Sequence, residues 1–423
     1  MTRKMKDSGV EWIGEIPSNW NLIKYKKIAN SGMGTTLLKS ELTDYKTKDS
    51  IPVYSATQGS EYFGYTENKN VILEKGDLVI PARGNSIGYI KLVNQIATCT
   101  QTTIYSKVYS DKIDVKFLKY CGDGLKDNWF FYDKTAIPQI TVNQVNNNLI
   151  PFPDLNEQIK IVHKLNILTT NIDNIIKKTQ KSIQDLKKYK QSLITEAVTK
   201  GIDSNVEMKD SGIEWIGKIP EHWLSLKMKY LGKVRNGLTY KPENILDNSN
   251  GTRVLRAGNI LQNKLILKDS EDIFVSQDIV SEKLKLKKND ILICSRSGSK
   301  DLIGKNILIK NNIEAAFGAF MMVFRTSKVS SRYIYYILNS EIFSYYLGSF
   351  LTSTINQLTK SNFDNMKVVI TDDINEQQQI VDYLDEKTAL IDKLIEDKTK
   401  VIEELENYKK SLIYEYVTGK KEA

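Results

Sequence analysis

Two arginines stand out as groups that could do recognition chemistry. Arg83 in PARGNSIG and Arg296 in CSRSGSK each follow an apolar run and sit among Gly, Ser and Asn. A guanidinium on such a loop can fork onto guanine O6 and N7 or onto a phosphate, and an Asn or Gln amide can do the same for adenine. The same two loops offer Asn85, Ser86, Ser297 and Lys300 as further polar groups, while Gln101 and Thr102 in TCTQTT, and Arg256 and Asn259 in LRAGNI, are weaker candidates of the same kind. Any one of these also fits a solvated or turn-forming position. The arginine pair is set apart by recurrence. Asp77, Ile80 and Arg83 correspond to Asp290, Ile293 and Arg296 at an offset of 213, and Ile137, Gln139 and Thr141 to Ile355, Gln357 and Thr359 at 218.

The same search yields no catalytic constellation. There are two histidines, His163 and His222, and three cysteines, Cys99, Cys121 and Cys294, with no close spacing. That excludes a His-rich metal cluster, argues against a zinc site or disulfide framework, and points to a reducing compartment. No N-P-P-[FY] or D-P-P-Y run exists for methyl transfer. GSKDLIGKN at 298–306 fails as a phosphate loop twice, having five residues between its glycines and Asn where magnesium needs a hydroxyl. Pro153-Asp154 and Glu207-Met208-Lys209 resemble parts of a metal nuclease, but a long helical segment lies between them and they belong to a helix start and a repeated leader. The chain reads as a binder.

The elements that must carry these loops are organised by a repeat. MKDSGVEWIGEIPSNW at 5–20 recurs as MKDSGIEWIGKIPEHW at 208–223, with twelve of sixteen positions identical at an offset of 203. Residues 157–199 recur at 376–418, with twenty of forty-three identical at an offset of 219. Each half is thus a shared leader, a divergent body and a shared long segment. The long segment lacks Pro and Gly between 157 and 199 and has heptad apolar spacing, which predicts a helix of roughly 65 Å. Its seam runs through Leu165, Ile172, Ile176, Ile183, Leu186 and Leu193, and in the second copy through Leu384, Ile391, Ile395, Ile402, Leu405 and Leu412. Segment 155–201 carries a net +5 and segment 374–420 a net −4, which favours pairing of the two helices with each other, antiparallel if the halves are related by a pseudo-two-fold axis. The leaders hold four of the five tryptophans and are expected to strap each body to a neighbouring helix.

The bodies are mixed. Strands are predicted within 71–84, 102–110, 286–298, 306–310 and 319–327, and helices at 115–125 and 331–347. The resulting fold class is α+β: two similar α/β bodies joined by two long helices in an antiparallel coiled coil, with a pseudo-two-fold internal repeat. The expected boundaries are 1–154 for the first body, 155–201 for the first helix, 202–373 for the second body and 374–423 for the second helix.

Length and composition agree with this. A chain of 423 residues accommodates two domains, 41% hydrophobic residues suffice for real cores, and a net charge of +9 suits a nucleic-acid partner without requiring one. The start of the chain has no apolar stretch of a secretory signal, and the longest apolar run, 316–324, is about half a membrane span. A cytoplasmic location without membrane contact is expected.

GVEWIGEIPSNW and GIEWIGKIPEHW, together with NEQIKIV…YKQSLITEAVTKG and NEQQQIV…YKKSLIYEYVTGK, resemble Type I restriction–modification specificity subunits. The resemblance covers both leaders, both helices and the order of parts along the whole chain. It implies that the bodies are target recognition domains, each reading one half of an asymmetric bipartite site on double-stranded DNA, with the helical pair fixing the gap. It also implies two methyltransferase (M) subunits docked on the repeated segments, and motor-nuclease (R) subunits that join them. S-adenosylmethionine, ATP and Mg2+ would be used by those partners, with no cofactor bound by this chain. Two other readings are compatible with the residues: a specificity subunit whose partner fuses methyltransferase and nuclease, and a protein-interaction scaffold that binds no DNA.

Overall fold

The computed structural model describes residues 3–57, 59, 61–129, 139–246, 250–261, 264–350 and 357–423, with backbone only at 85 and 126–129. The chain divides into two compact units. One holds Met1–Gln180 with Thr399–Ala423, the other Lys181–Lys398. Each unit therefore takes one body and a part of both long helices, where the sequence reading drew helices and bodies as separate blocks.

Both units are built in the same order. A leader hairpin pairs Met5–Asp7 with Glu15–Pro17 in the first and Met208–Asp210 with Lys218–Pro220 in the second. Its turn requires left-handed backbone at Gly9 and Gly14, and again at Gly212 and Gly217, where φ lies between 66° and 74°. Next comes a strand that pairs with one just before the long helix: Asn21–Lys24 with Leu149–Phe152, and Leu224–Lys227 with Lys367–Ile370. The main antiparallel sheet has the order Ala29–Met33, Thr103–Val108, Leu78–Pro81, Lys91–Leu92 in the first unit. In the second it is Gly232–Asn236, Met321–Thr326, Ile291–Cys294, Asn306–Leu308. A smaller sheet containing one parallel pair completes each body.

The regions of predicted strand thus contain strands, but shorter ones. The predicted helix over 331–347 is two helices, Ser331–Ile337 and Glu341–Phe350. Buried Ser340 makes the break: its hydroxyl donates to Ile337 O at 2.7 Å and accepts the Ile342 N–H at 3.2 Å. A Ser inside an apolar period leaves no mark on the periodicity, although its side chain competes with the helix backbone.

The long helices span Leu155–Lys200 and Ile374–Val417. Asp154 caps the first, accepting the Glu157 N–H at 2.9 Å, and Asp373 opens the second, accepting the Asn375 N–H at 2.8 Å. Gly201, at φ 75°, ends the first. Of the seam positions, Leu165, Ile172, Leu384, Ile391 and Leu412 are buried; Ile176, Ile183, Leu186, Leu193, Ile395, Ile402 and Leu405 are half-buried. In each unit the two helices run antiparallel: in the first Asp173 pairs with Lys409 while Trp20 meets both Glu157 and Gly419, and in the second Lys190 pairs with Asp392 while Gly201 lies against Glu376.

Each unit has a core that joins its helix segments to its body. In the first, Val162, Leu165, Leu412 and Tyr416 join Trp20, Phe117 and Ile150. In the second, Ala197, Val198, Val381 and Leu384 join Trp223, Phe324 and Phe363. No helix among the described residues is long and apolar enough to cross a membrane.

Candidate nucleic-acid interface

Rigid placement of the loops begins at the helices. The fully buried Trp20 donates its indole N–H to Glu157 Oε2 at 2.8 Å, and Trp223 donates to Glu376 Oε1 at 3.0 Å. One residue further along each helix, the buried Gln158 donates to Lys112 O and Pro153 O and accepts the Asp114 N–H. Gln377 likewise donates to Thr371 O and accepts the Ser330 N–H. Tyr120 donates to Asn166 at 2.7 Å, and Tyr336 to Asp385 at 2.5 Å. Apart from the Gln158 bond to Lys112, each of these contacts has a counterpart in the other unit, and the Trp, Glu, Gln and Tyr that make them are the same in both.

The faint landmarks of the bodies acquire roles in the same way. Asp77 accepts the Glu74 N–H at 2.9 Å and Asp290 the Lys287 N–H at 2.8 Å, each closing the turn that leads into its central strand. Asp290 also receives Arg325 through Nε at 2.8 Å. At the other end of that strand, Arg83 forms a β-bridge with Gln139, and Arg296 one with Gln357. Thr141 and Thr359 then cap short helices by accepting the N–H of Gln144 and Asn362. Ile137 and Ile355 lie outside the described residues. Both arginines are exposed at the end of a buried strand, with their backbone held by a bridge.

In the first unit, the exposed Gln101 accepts from the Thr36 hydroxyl at 2.9 Å, and the half-buried Thr102 shares a 2.7 Å hydroxyl contact with Thr100. These groups lie on the turn that crosses beneath Arg83, since Ala82 N–H donates to Thr102 O at 2.9 Å. Asn85 belongs to the turn Gly84–Ser86, and its side chain lies outside what is described; Ser86 is buried in that turn and does not present its hydroxyl at the surface.

In the second unit the structure brings Arg256, Asn259, Arg296 and Ser297 to one cavity of about 820 Å³, which Tyr240, Lys268, Glu271, Asp272 and Phe320 also line. Lys300 is exposed on the neighbouring turn Lys300–Leu302, outside that lining. Ser297 accepts the Ser299 N–H at 3.2 Å. Asn259 has a different task from the one its type suggested. Its amide donates to Asp272 Oδ1 at 2.6 Å and Ile266 O at 3.1 Å and accepts the Arg256 N–H at 2.8 Å, so it holds the loop from within and has no proton left for a base.

Two features escaped the sequence. Phe320 was absorbed into an apolar run predicted as a strand over 319–327, but the strand begins at Met321 and Phe320 stays 57% exposed on the turn before it, with the Arg296 guanidinium 5.7 Å from its ring. Gly318, two residues earlier, was the available signal for that turn. Lys91 is buried, with Nζ donating to Ser55 O at 2.9 Å and Thr57 Oγ1 at 2.7 Å, and burial lowers its pKa. Register places Ile307 at the same point of the second unit, so nothing in the repeat could have revealed the lysine. No group of three His, Cys, Asp or Glu among the described residues could hold a metal ion.

The sequence model of the Type I restriction modification DNA specificity domain matches residues 17–185 and 220–404. The chain is 26% identical over 429 residues to the Type I restriction enzyme MjaVIII specificity subunit of Methanocaldococcus jannaschii, covering 96% of this chain and 93% of that one. It is 28% identical over 209 residues to the EcoKI specificity subunit of Escherichia coli K12, covering 48% of this chain and 44% of that one. A solved chain, from work on complex assembly and conformational transition of the type I R-M system, has a TM-score of 0.70 at 16% identity and covers 95% of this chain and 98% of its own; at that identity the likeness is one of fold. With two matched segments that between them contain both arginine loops and most of both long helices, the chain belongs to the family of Type I restriction–modification DNA specificity subunits.

Proposed function

We propose that this chain reads a bipartite site on double-stranded DNA, one half-site per unit, and that the paired long helices fix the gap between the halves. The carrying observation is the recurrence of one exposed arginine at one strand end, bridged to one glutamine, in both units: Arg83 with Gln139 and Arg296 with Gln357. The residues joining body to helix repeat closely, while the residues around the arginines differ between the units. That division suits two readers of unlike sequence mounted on one frame. The excess of Lys and Arg, 60 against 51 acids, would supply phosphate contacts that position the chain without reading sequence.

Chemistry on the DNA is assigned to partners. In this reading two methyltransferase subunits dock on the repeated leader and helix segments and use S-adenosylmethionine, and motor-nuclease subunits use ATP and Mg2+. This chain binds none of those cofactors and works in the cytoplasm.

The test is single-molecule mapping of methylated adenines in host DNA with the gene intact and deleted. Loss of one bipartite motif on deletion is the expected result. Methylation unchanged in a host that expresses the chain and its partners would overturn the reading.

A further inference from the structure

We propose that the cavity of the second unit reads guanine, with Arg296 forking onto O6 and N7 from a position fixed by Phe320 and with Arg256 as a second fork in the same cavity. The inference rests on the reading above that this unit binds duplex DNA.

The acids of the cavity point to an electron-rich ligand because they are already committed. Asp272 accepts from Asn259 at 2.6 Å and from the Lys268 N–H at 2.8 Å, and meets Arg253 Nε at 3.2 Å. Glu271 receives Lys268 Nζ at 2.9 Å. Arg256 and Arg296 have no carboxylate partner among the described residues, and both are exposed. Two free guanidinium groups thus share one concave surface whose negative charges are matched by other residues. A guanidinium offers parallel N–H donors, and the two adjacent acceptors of guanine in the major groove fit that fork.

Arg296 is also held in place, which a phosphate contact would not need. Its N–H donates to Phe320 O at 3.1 Å, its strand end is bridged to Gln357, and its guanidinium stands 5.7 Å from the Phe320 ring. Contact with the ring limits the rotamers of a long side chain before any ligand arrives.

The first unit lacks this arrangement. Ala82 N–H donates to Thr102 O as Ser295 N–H does to Phe320 O, which puts Thr102 where Phe320 stands. Thr100 N–H donates to Tyr54 O as Gly318 N–H does to Leu255 O, which puts Ser55 where Arg256 stands. Arg83 therefore has neither the Phe320 ring nor the second fork, and guanine reading by a pair of arginines belongs to the second unit's half-site alone.

The experiment uses the full chain co-purified with its partner subunits and bound to duplexes carrying the mapped site, in competition with duplexes changed one base pair at a time. Wild type is expected to require guanine at one or more positions of one half-site. R296A and R296K should each lower discrimination at one such position by roughly 5- to 150-fold while the other half-site keeps its preference. R256A should relax a second position. F320L should relax the Arg296 position by a smaller factor and F320Y restore it, a pattern that loss of folding would not give, since the intact half-site reports a folded chain within the same complex. Absence of guanine from the half-site read by the second unit overturns the proposal and leaves two-part recognition standing. So does uniform weakening by R296A that R296K rescues, which is the signature of a phosphate contact. Absence of any bipartite preference in the wild-type complex overturns the DNA reading and the proposal together.

Discussion

Lys190 Nζ meets both carboxylate oxygens of Asp392, at 2.7 and 2.6 Å, and Lys409 meets both of Asp173, at 2.6 and 2.7 Å. The offset of 219 that relates the two helices turns each pair into the other with the roles of the helices exchanged. Both lysines continue the heptad spacing of the seam, four residues after Leu186 and Leu405, where a polar group specifies register at some cost in stability. Lys190 is 17% exposed and Asp392 58%, so solvent screens the pair and its worth is at most about 1 kcal/mol. Lys190→Glu should therefore lower stability by about 1 kcal/mol, and Lys190→Glu with Asp392→Lys should recover most of it. Urea melts of the single and double variants measure both. A double variant no more stable than the single would show that the pair does not couple the helices.

The leader strap is the stronger fastening. Glu376 accepts from buried Trp223 through Oε1 at 3.0 Å and meets His222 Nε2 through Oε2 at 2.9 Å. Glu376→Ala leaves a buried indole N–H without an acceptor, which costs about 1–3 kcal/mol, whereas Glu376→Gln keeps an acceptor and should cost less. The equivalent Glu157→Ala should behave alike, because Trp20 depends on it in the same way and Arg3 pairs with it. Chemical denaturation followed by tryptophan fluorescence checks the order of the three variants.

The frame was legible in the sequence because helices of this length announce themselves through period, and duplication doubled the signal. Every seam position from Leu165 to Leu193 and from Leu384 to Leu412 is buried or half-buried. The bodies were less legible, since their strands are two to six residues long and too short for a period to establish. Arg83 and Arg296 could be aligned because an aspartate turn precedes each and a glutamine bridge follows. Phe320 and Asn259 could not be placed by type: one is a large apolar residue left on a turn, the other a polar residue drawn inward by Asp272. Both depend on contacts between segments distant in the sequence or folded back by a loop, which residue type alone does not encode.

The cysteines provide a probe of packing. Cys99, Cys121 and Cys294 are all buried, and burial pushes each thiol up, that of Cys99 to about 11. The thiolate is the reactive form, so at pH 8 only about one Cys99 in a thousand would be ionised even if reagent could enter. A thiol reagent such as dithiobis-nitrobenzoate should label none of the three rapidly in the native chain and all three in urea. Raising the pH toward 10 without denaturant should speed Cys99 labelling by a larger factor than it does for a free thiol, whose ionisation is nearly complete by then, while the absolute rate stays far lower because access is limited. Rapid labelling of one thiol at pH 8 would place that thiol outside a packed core.

Arg83 supplies the functional prediction for the first unit. It is exposed beside the Gln101 and Thr102 turn, and its backbone is fixed by the bridge to Gln139. If it touches a base, Arg83→Ala should cost roughly 1–3 kcal/mol of discrimination at one position of the first half-site and leave the salt dependence of binding unchanged. If it touches a phosphate, the variant should bind all sequences more weakly, and the slope of log K against log salt should become shallower by about 0.9. Titrations of the assembled complex on cognate and single-substituted duplexes at several salt concentrations separate the two. The bridge favours the first outcome: a side chain that only neutralises a phosphate gains little from a fixed backbone, whereas a base contact must arrive at one position and one angle.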